Sequence, residues 1–160
     1  MTPYDKSALQ EELLRSLTAL LDTAQRSHNA SVEAATHEEA KPENDKDTRA
    51  LEQSYLARGQ AERLVELKEG ILLVQAMPVK KLEPGAACSL GAVVEVEFDG
   101  HKELYWLAPA GGGTRLAHNS IQVLTPKSPL GRALIGSSIG DDCEAQLGGK
   151  LRVLEIVSLY

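Results

Sequence analysis

Residues 37–47 read HEEAKPENDKD, and within them Glu38, Glu39, Glu43, Asp45 and Asp47 crowd five carboxylates beside two lysines and a proline. Such crowding gives a fold nothing, because like charges at this spacing repel. What the cluster can offer is oxygen, the ligand type that hard divalent cations prefer. Asp45 and Asp47 also stand where a second helix would begin, and negative charge there favours the helix macrodipole.

The other chemistry-bearing residues point away from an active site. His28, His37, His101 and His118 share no ligand spacing, and His37 beside Glu38 would hold a metal only weakly, so all four read as structural or solvated. Cys88 and Cys143 lie far apart without a Cys-x-x-Cys spacing and read as small buried apolar residues. Gly111, Gly112 and Gly113 with Arg115 nearby could form an anion-binding nest, but no P-loop lysine and serine follow, and a flexible hairpin loop is the simpler reading.

Composition bounds the answer further. The chain has 160 residues, 42% hydrophobic and 25% charged, which suits one ordinary domain or two small ones. No apolar run approaches the ~20 residues that span a bilayer, and the N-terminal MTPYDKSALQEELL lacks the regions of a secretion signal, so a cytoplasmic protein without membrane contact is expected. The net charge of −6 is uneven, with 14 acids against 9 bases in residues 1–76 and 9 against 8 in residues 77–160. That balance argues against direct binding of duplex nucleic acid, which wants a clustered basic face.

Two helices must position the acidic stretch. From Ser7, Leu9, Leu13, Leu17, Leu20 and Ala24 recur at steps of four and three, and small residues carry the pattern to about His37. Pro42 stops that helix and places a turn near residues 40–43. A second helical pattern runs from about Asn44 to Gln75, with Leu51, Tyr55, Leu64, Leu67, Ile71 and Val74 on its stripe, and Pro78 closes it. Folding the two about residue 42 pairs Leu9 with Val74, Leu13 with Ile71, Leu17 with Leu67, Leu20 with Leu64, Ala24 with Gly59 and His28 with Tyr55. This constant register predicts an antiparallel coiled-coil hairpin over residues 1–77, roughly 45 Å long, with its acidic tip near 38–47.

The period changes in residues 78–160. GAVVEVEF alternates, Asp99 and Gly100 signal a hairpin turn, and HKELYWLAP returns as the partner strand. SIQVLT is a third strand, and CEAQLGG with KLRVLEIVSL forms another hairpin across Gly148 and Gly149. Between them lies TPKSPLGRALIG, in which Ser128 can cap, Pro129 suits the first helical position, Leu130, Ala133 and Leu134 make an apolar face, and Gly136 can adopt the left-handed conformation after the last turn. The fold class expected is α+β, a helical hairpin followed by a small antiparallel sheet with one short helix.

TPKSPLGRALIGSSIGDD resembles the C-terminal signature of bacterial Gre-type transcript cleavage factors, matching at Ser128, Pro129, Leu130, Arg132, Leu134, Ile135, Gly136, Gly140 and Asp141. Glu43 and Asn44 look like the family's tip Glu-Asn, and Ala50, Glu52 and Gln53 like the Ala-x-Glu-Gln that follows. The resemblance spans nearly the whole chain. It implies an FKBP-like sheet domain that docks on bacterial RNA polymerase through Ser128, Pro129, Leu130 and Arg132, while the hairpin enters the secondary channel. It also implies that the tip carboxylates, Glu39 and Glu43 foremost, help hold a weakly bound Mg²⁺ at the polymerase's active centre, so that the polymerase cleaves a backtracked transcript. On this reading the protein is a monomer and no enzyme. It holds no cofactor of its own, meets the RNA 3′ end indirectly, and meets DNA only through the polymerase.

One position departs from the pattern. The usual tip carries an aspartate three residues before the glutamate of Glu-Asn, and here Ala40 stands there, preceded by Glu38 and Glu39. A channel factor that inhibits or retunes the polymerase without stimulating cleavage is therefore the alternative. A third reading, an FKBP-like binding or prolyl isomerase module, has only Phe98, Tyr105 and Trp106 to line a proline pocket.

Overall fold

The computed structural model describes residues 3–39 and 47–160. Helix α1 spans Lys6–Glu39 and α2 spans Asp47–Ala76. Asp5 starts α1, its Oδ1 accepting the Ala8 amide at 3.1 Å and its carbonyl that of Leu9 at 3.0 Å, which satisfies amides that have no partner inside the helix. The expected turn at 40–43 and the expected start at Asn44 lie outside the described residues.

The chain divides into two compact units, one of Met1–Ser16 with Leu72–Tyr160 and one of Leu17–Ile71. The expected boundary at 77/78 separates helix from sheet by type, whereas the compact units assign both hairpin ends to the sheet.

In the unit of Leu17–Ile71, Leu17, Leu64 and Leu67 are buried, and Leu21, Ala24, His28, Ser31 and Ala35 continue the α1 seam half-buried. On α2 Gln53, Ala57, Gln60 and Ile71 are half-buried on the seam, with Ala61 beside Gln60. These steps alternate three and four, the heptad of a coiled coil. Gln60 Nε2 donates to Ser27 Oγ at 3.4 Å and so joins the two helices. Three expected seam residues are off it: Leu20 is 46% exposed, Leu51 56% and Tyr55 65%. The expected pairs Leu20–Leu64 and His28–Tyr55 are corrected accordingly. On α2 the expected steps of four and nine from Leu51 through Tyr55 to Leu64 leave a seam that averages 3.5 residues per turn, and the seam instead runs back from Leu64 through Gln60 to Ala57, while on α1 it passes from Leu17 to Leu21.

In the other unit, Leu9, Leu13, Val74 and Met77 are buried, and Gln10 Nε2 donates to the carbonyls of Val74 at 2.7 Å and Met77 at 3.0 Å. Six strands follow: β1 Val93–Phe98, β2 His101–Leu107, β3 Arg115–Leu116, β4 Ile121–Leu124, β5 Asp142–Leu147 and β6 Lys150–Leu159. They lie in the order β3-β4-β2-β1-β6-β5, with α3, Pro129–Leu134, against β5. Val94, Val96, Tyr105, Leu107, Leu124, Leu154 and Ile156 join Leu130 and Leu134 of α3 in one core. Alternation puts Val93, Trp106, Ile121 and Val123, also buried, on the opposite face.

The sheet is mixed, correcting the expectation of an antiparallel one. β2 pairs with β4 in parallel, Leu104 opposite Ile121 and Leu107 opposite Leu124. Residues 108–120 make the crossover that a parallel pair requires, and the two-residue β3, absent from the sequence reading, is made within it.

That crossover holds a strained turn. Ala117, His118 and Asn119 have φ of 49°, 56° and 67° in succession, a left-handed conformation costing each residue roughly 1–2 kcal/mol. Glu12 of α1 restrains it, Oε2 accepting the Ala117 amide at 3.1 Å, and the Ser120 amide and hydroxyl both donate to the Ala117 carbonyl. Glu12→Ala is expected to lower stability by about 1–2 kcal/mol in urea unfolding. Glu12→Gln, which keeps an acceptor oxygen, should lose less than half of that. An unchanged midpoint for Glu12→Ala would show that the contact does not restrain the turn.

Candidate functional site

The short helix α3 is specified by its own sequence. Ser128 is its N-cap, with Oγ accepting the Gly131 amide at 3.0 Å and donating to the Thr125 carbonyl at 2.8 Å, and Pro129 occupies the first helical position, where a missing N–H is harmless. Leu130 and Leu134 are buried in the core, so Leu130 serves this site from beneath it, by fixing the helix. Arg132 is exposed on the outer side.

The loop after α3 is held equally closely. Gly136 has φ of 83° and donates its amide to the Cys88 carbonyl at 2.8 Å. Asp141 Oδ2 accepts the Ser138 amide at 2.7 Å, and Gly140 N and Asp141 O bond the backbone of Ile156. The Gly-Asp of the signature is therefore what closes this loop. Ile135, just before Gly136, and Ile139, just before Gly140, stand exposed, Ile139 by 59%, and Leu90 is among the other exposed apolar residues of the same unit. The sequence reading missed them, although two isoleucines flanked by glycines and serines, outside any strand or helix pattern, were the available signal.

Of the acidic stretch, Glu38 and Glu39 lie in the last turn of α1 and Asp47 opens α2. Glu43 and Asp45 lie outside the described residues, as do Ala40 and the side-chain positions of Glu38, Glu39 and Asp47. The donor chemistry of the stretch, carboxylate throughout, fits a hard dication such as Mg²⁺. Among the described residues no three His, Cys, Asp or Glu side chains gather as a metal site.

The remaining candidates take structural roles. The Gly113 amide donates to the Val123 carbonyl and the Thr114 amide to the Gly111 carbonyl, so these donors serve the β3–β4 hairpin and not an anion. Cys88 and Cys143 are buried free thiols, and burial, aided by Cys143, pushes the Cys88 thiol up to about 12, the mark of an inert cysteine. Tyr105 and Trp106 are core residues, the indole donating to the Gly91 carbonyl at 3.3 Å, which removes two of the three aromatics that a proline pocket would have used. Among the described residues no helix is long and apolar enough to cross a membrane.

The fold joins two long helices, with an acidic stretch between them in sequence, to a mixed sheet that carries one short outer helix. The chain is 31% identical to the transcription elongation factor GreA of Methylococcus capsulatus over 160 aligned residues, 99% of this chain and 95% of that protein. It is 29% identical to the GreA of Syntrophus aciditrophicus over 118 residues, 74% of this chain and 70% of the relative. It belongs to the GreA family of transcription elongation factors. No family model matches it. Solved structures similar to it include GreA factor homolog 1 of Thermus thermophilus, at 18% identity and a TM-score of 0.41, covering 92% of this chain and 94% of that one. Another is a GreA/GreB factor of Nitrosomonas europaea, at 15% identity and a TM-score of 0.38, covering 71% and 94%.

Proposed function

We propose that this elongation factor binds bacterial RNA polymerase through the outer side of α3 and its loop, inserts the hairpin into the secondary channel and stimulates cleavage of backtracked transcripts. The observation that carries the reading is the signature of residues 128–141, whose polar members secure α3 and its loop while Arg132, Ile135 and Ile139 are left facing outward. The tip carboxylates Glu38, Glu39, Glu43, Asp45 and Asp47 would offer oxygens to Mg²⁺, which when bound activates water and neutralises a leaving oxygen. The protein's own part is to bring those oxygens to the polymerase, which performs the hydrolysis.

A backtracked elongation complex incubated with and without the protein tests this directly. Shortened transcripts should appear only with it. Arg132→Glu is expected to weaken polymerase binding at least about tenfold with an unchanged melting temperature, because the residue is exposed. Equal affinity for variant and parent would remove this surface from the binding model.

Ala40, standing where the family pattern has aspartate, favours a second reading, a channel-binding regulator that leaves cleavage unstimulated. Competition with a cleavage factor in the absence of any cleavage would select it.

A further inference from the structure

Lys6 is 6% exposed, a depth at which lysine is ordinarily paired. Its ammonium has three donors, and among the described residues Nζ meets one acceptor, the Lys80 carbonyl at 2.9 Å. No carboxylate lies within ion-pair distance of it among those residues. Asp5, its neighbour in sequence, has Oδ1 engaged by the Ala8 amide. Burial alone lowers the Lys6 pKa, with no compensating charge acting in the other direction.

Lys6 is one of the residues lining a cleft of about 460 Å³, with Tyr4, Asp5, Ser7, Lys80 and Lys81. Three of the chain's 17 basic residues therefore line one cleft in a protein of net charge −6. Set against Asp5, they leave the lining with two positive charges. A singly charged carboxylate would neutralise half of that. A phosphate dianion matches it and presents enough acceptor oxygens for the spare Lys6 donors, the two flanking lysines and the Ser7 hydroxyl.

We propose that this cleft is a binding site for a phosphate group, with Lys6 as its buried contact and Lys80 and Lys81 as its flanking ones. The site lies within the sheet-bearing unit and is independent of the reading of the tip. Its size admits a group attached to the phosphate, so inorganic phosphate and a phosphate ester are both candidate sources.

The test is titration of the full isotope-labelled chain with inorganic phosphate and, separately, a nucleoside 5′-monophosphate. Ionic strength is held constant with chloride, and acetate serves as the carboxylate control. Saturable shifts of the amides of residues 4–7 and 79–81 are expected with at least one phosphate compound, and the tighter of the two identifies the source. The Lys80→Gln/Lys81→Gln double variant, which leaves the buried residue in place, should bind at least about tenfold more weakly, and Lys6→Met should abolish saturation. No saturable shift at millimolar ligand, identical shifts with acetate, or undiminished binding by the double variant would each overturn the proposal.

Discussion

Gly131→Ala is expected to destabilise the protein by about 3 kcal/mol or more, the upper end of what overpacking costs. A Cβ at this position would stand 2.0 Å from the Thr125 carbonyl oxygen and 2.8 Å from Ser128 Oγ. Neither neighbour is free to give. The Thr125 oxygen accepts from both the Ser128 amide and hydroxyl, and the Ser128 hydroxyl in turn caps the Gly131 amide. Relief therefore requires α3 to lift, which would withdraw Leu130 and Leu134 from the core. Gly136→Ala is the informative control, since its φ of 83° lies in open space and its cost is conformational, about 1 kcal/mol. Urea unfolding of the two variants beside the parent decides the matter. A Gly131→Ala loss no larger than that of Gly136→Ala would mean that α3 tolerates displacement.

On the proposed function, Glu43→Ala should abolish cleavage stimulation while leaving polymerase affinity and the urea midpoint unchanged, because what it removes on that reading is an oxygen donor for Mg²⁺. Ala40→Asp should act in the opposite direction and restore the family's spacing of carboxylates. Its gain should be largest at limiting Mg²⁺, where a better oxygen set fills a weak site more completely. Cleavage assays on a backtracked complex across a Mg²⁺ series measure both. A parent that stimulates at no Mg²⁺ concentration but competes with a cleavage factor would establish the regulatory reading. A parent that does neither would remove the polymerase channel from the account.

Much of this architecture was written in local periodicities. The leucines of α1, the Asp99–Gly100 and Gly148–Gly149 turns, and the Ser-Pro start of α3 each carry a signal confined to a few neighbouring residues. Leu51 and Tyr55 were misplaced because beyond Ala24 the seam is lined by alanine, serine, glutamine and histidine, so the larger apolar residues there mark the outer surface, and Leu20 because its neighbour Leu21 takes the seam. β3 and the parallel pairing of β2 with β4 were illegible because a two-residue strand has no period and a crossover is a property of distant segments. For the same reason, nothing in residue type announced Lys6 as buried or Glu12 as the restraint on residues 117–119. Of the candidate site, the helix and its cap could be read directly, whereas the outward isoleucines depended on how the loop is tied to β6.

The contact between Glu12 and Ala117 joins residues 105 apart, and this bears on the protein's birth. Translation proceeds at about 5–20 residues per second, so roughly 5–20 s pass between the emergence of the first partner and that of the second. Leu17–Ile71 is a continuous stretch and can pair its helices while the ribosome is still at work. The opening residues of α1 cannot finish so early, for they belong to a unit completed by the last half of the chain. Leu9 and Leu13, buried in the finished protein, sit in that unit, so the start of α1 waits long between its own synthesis and the completion of the body that holds it.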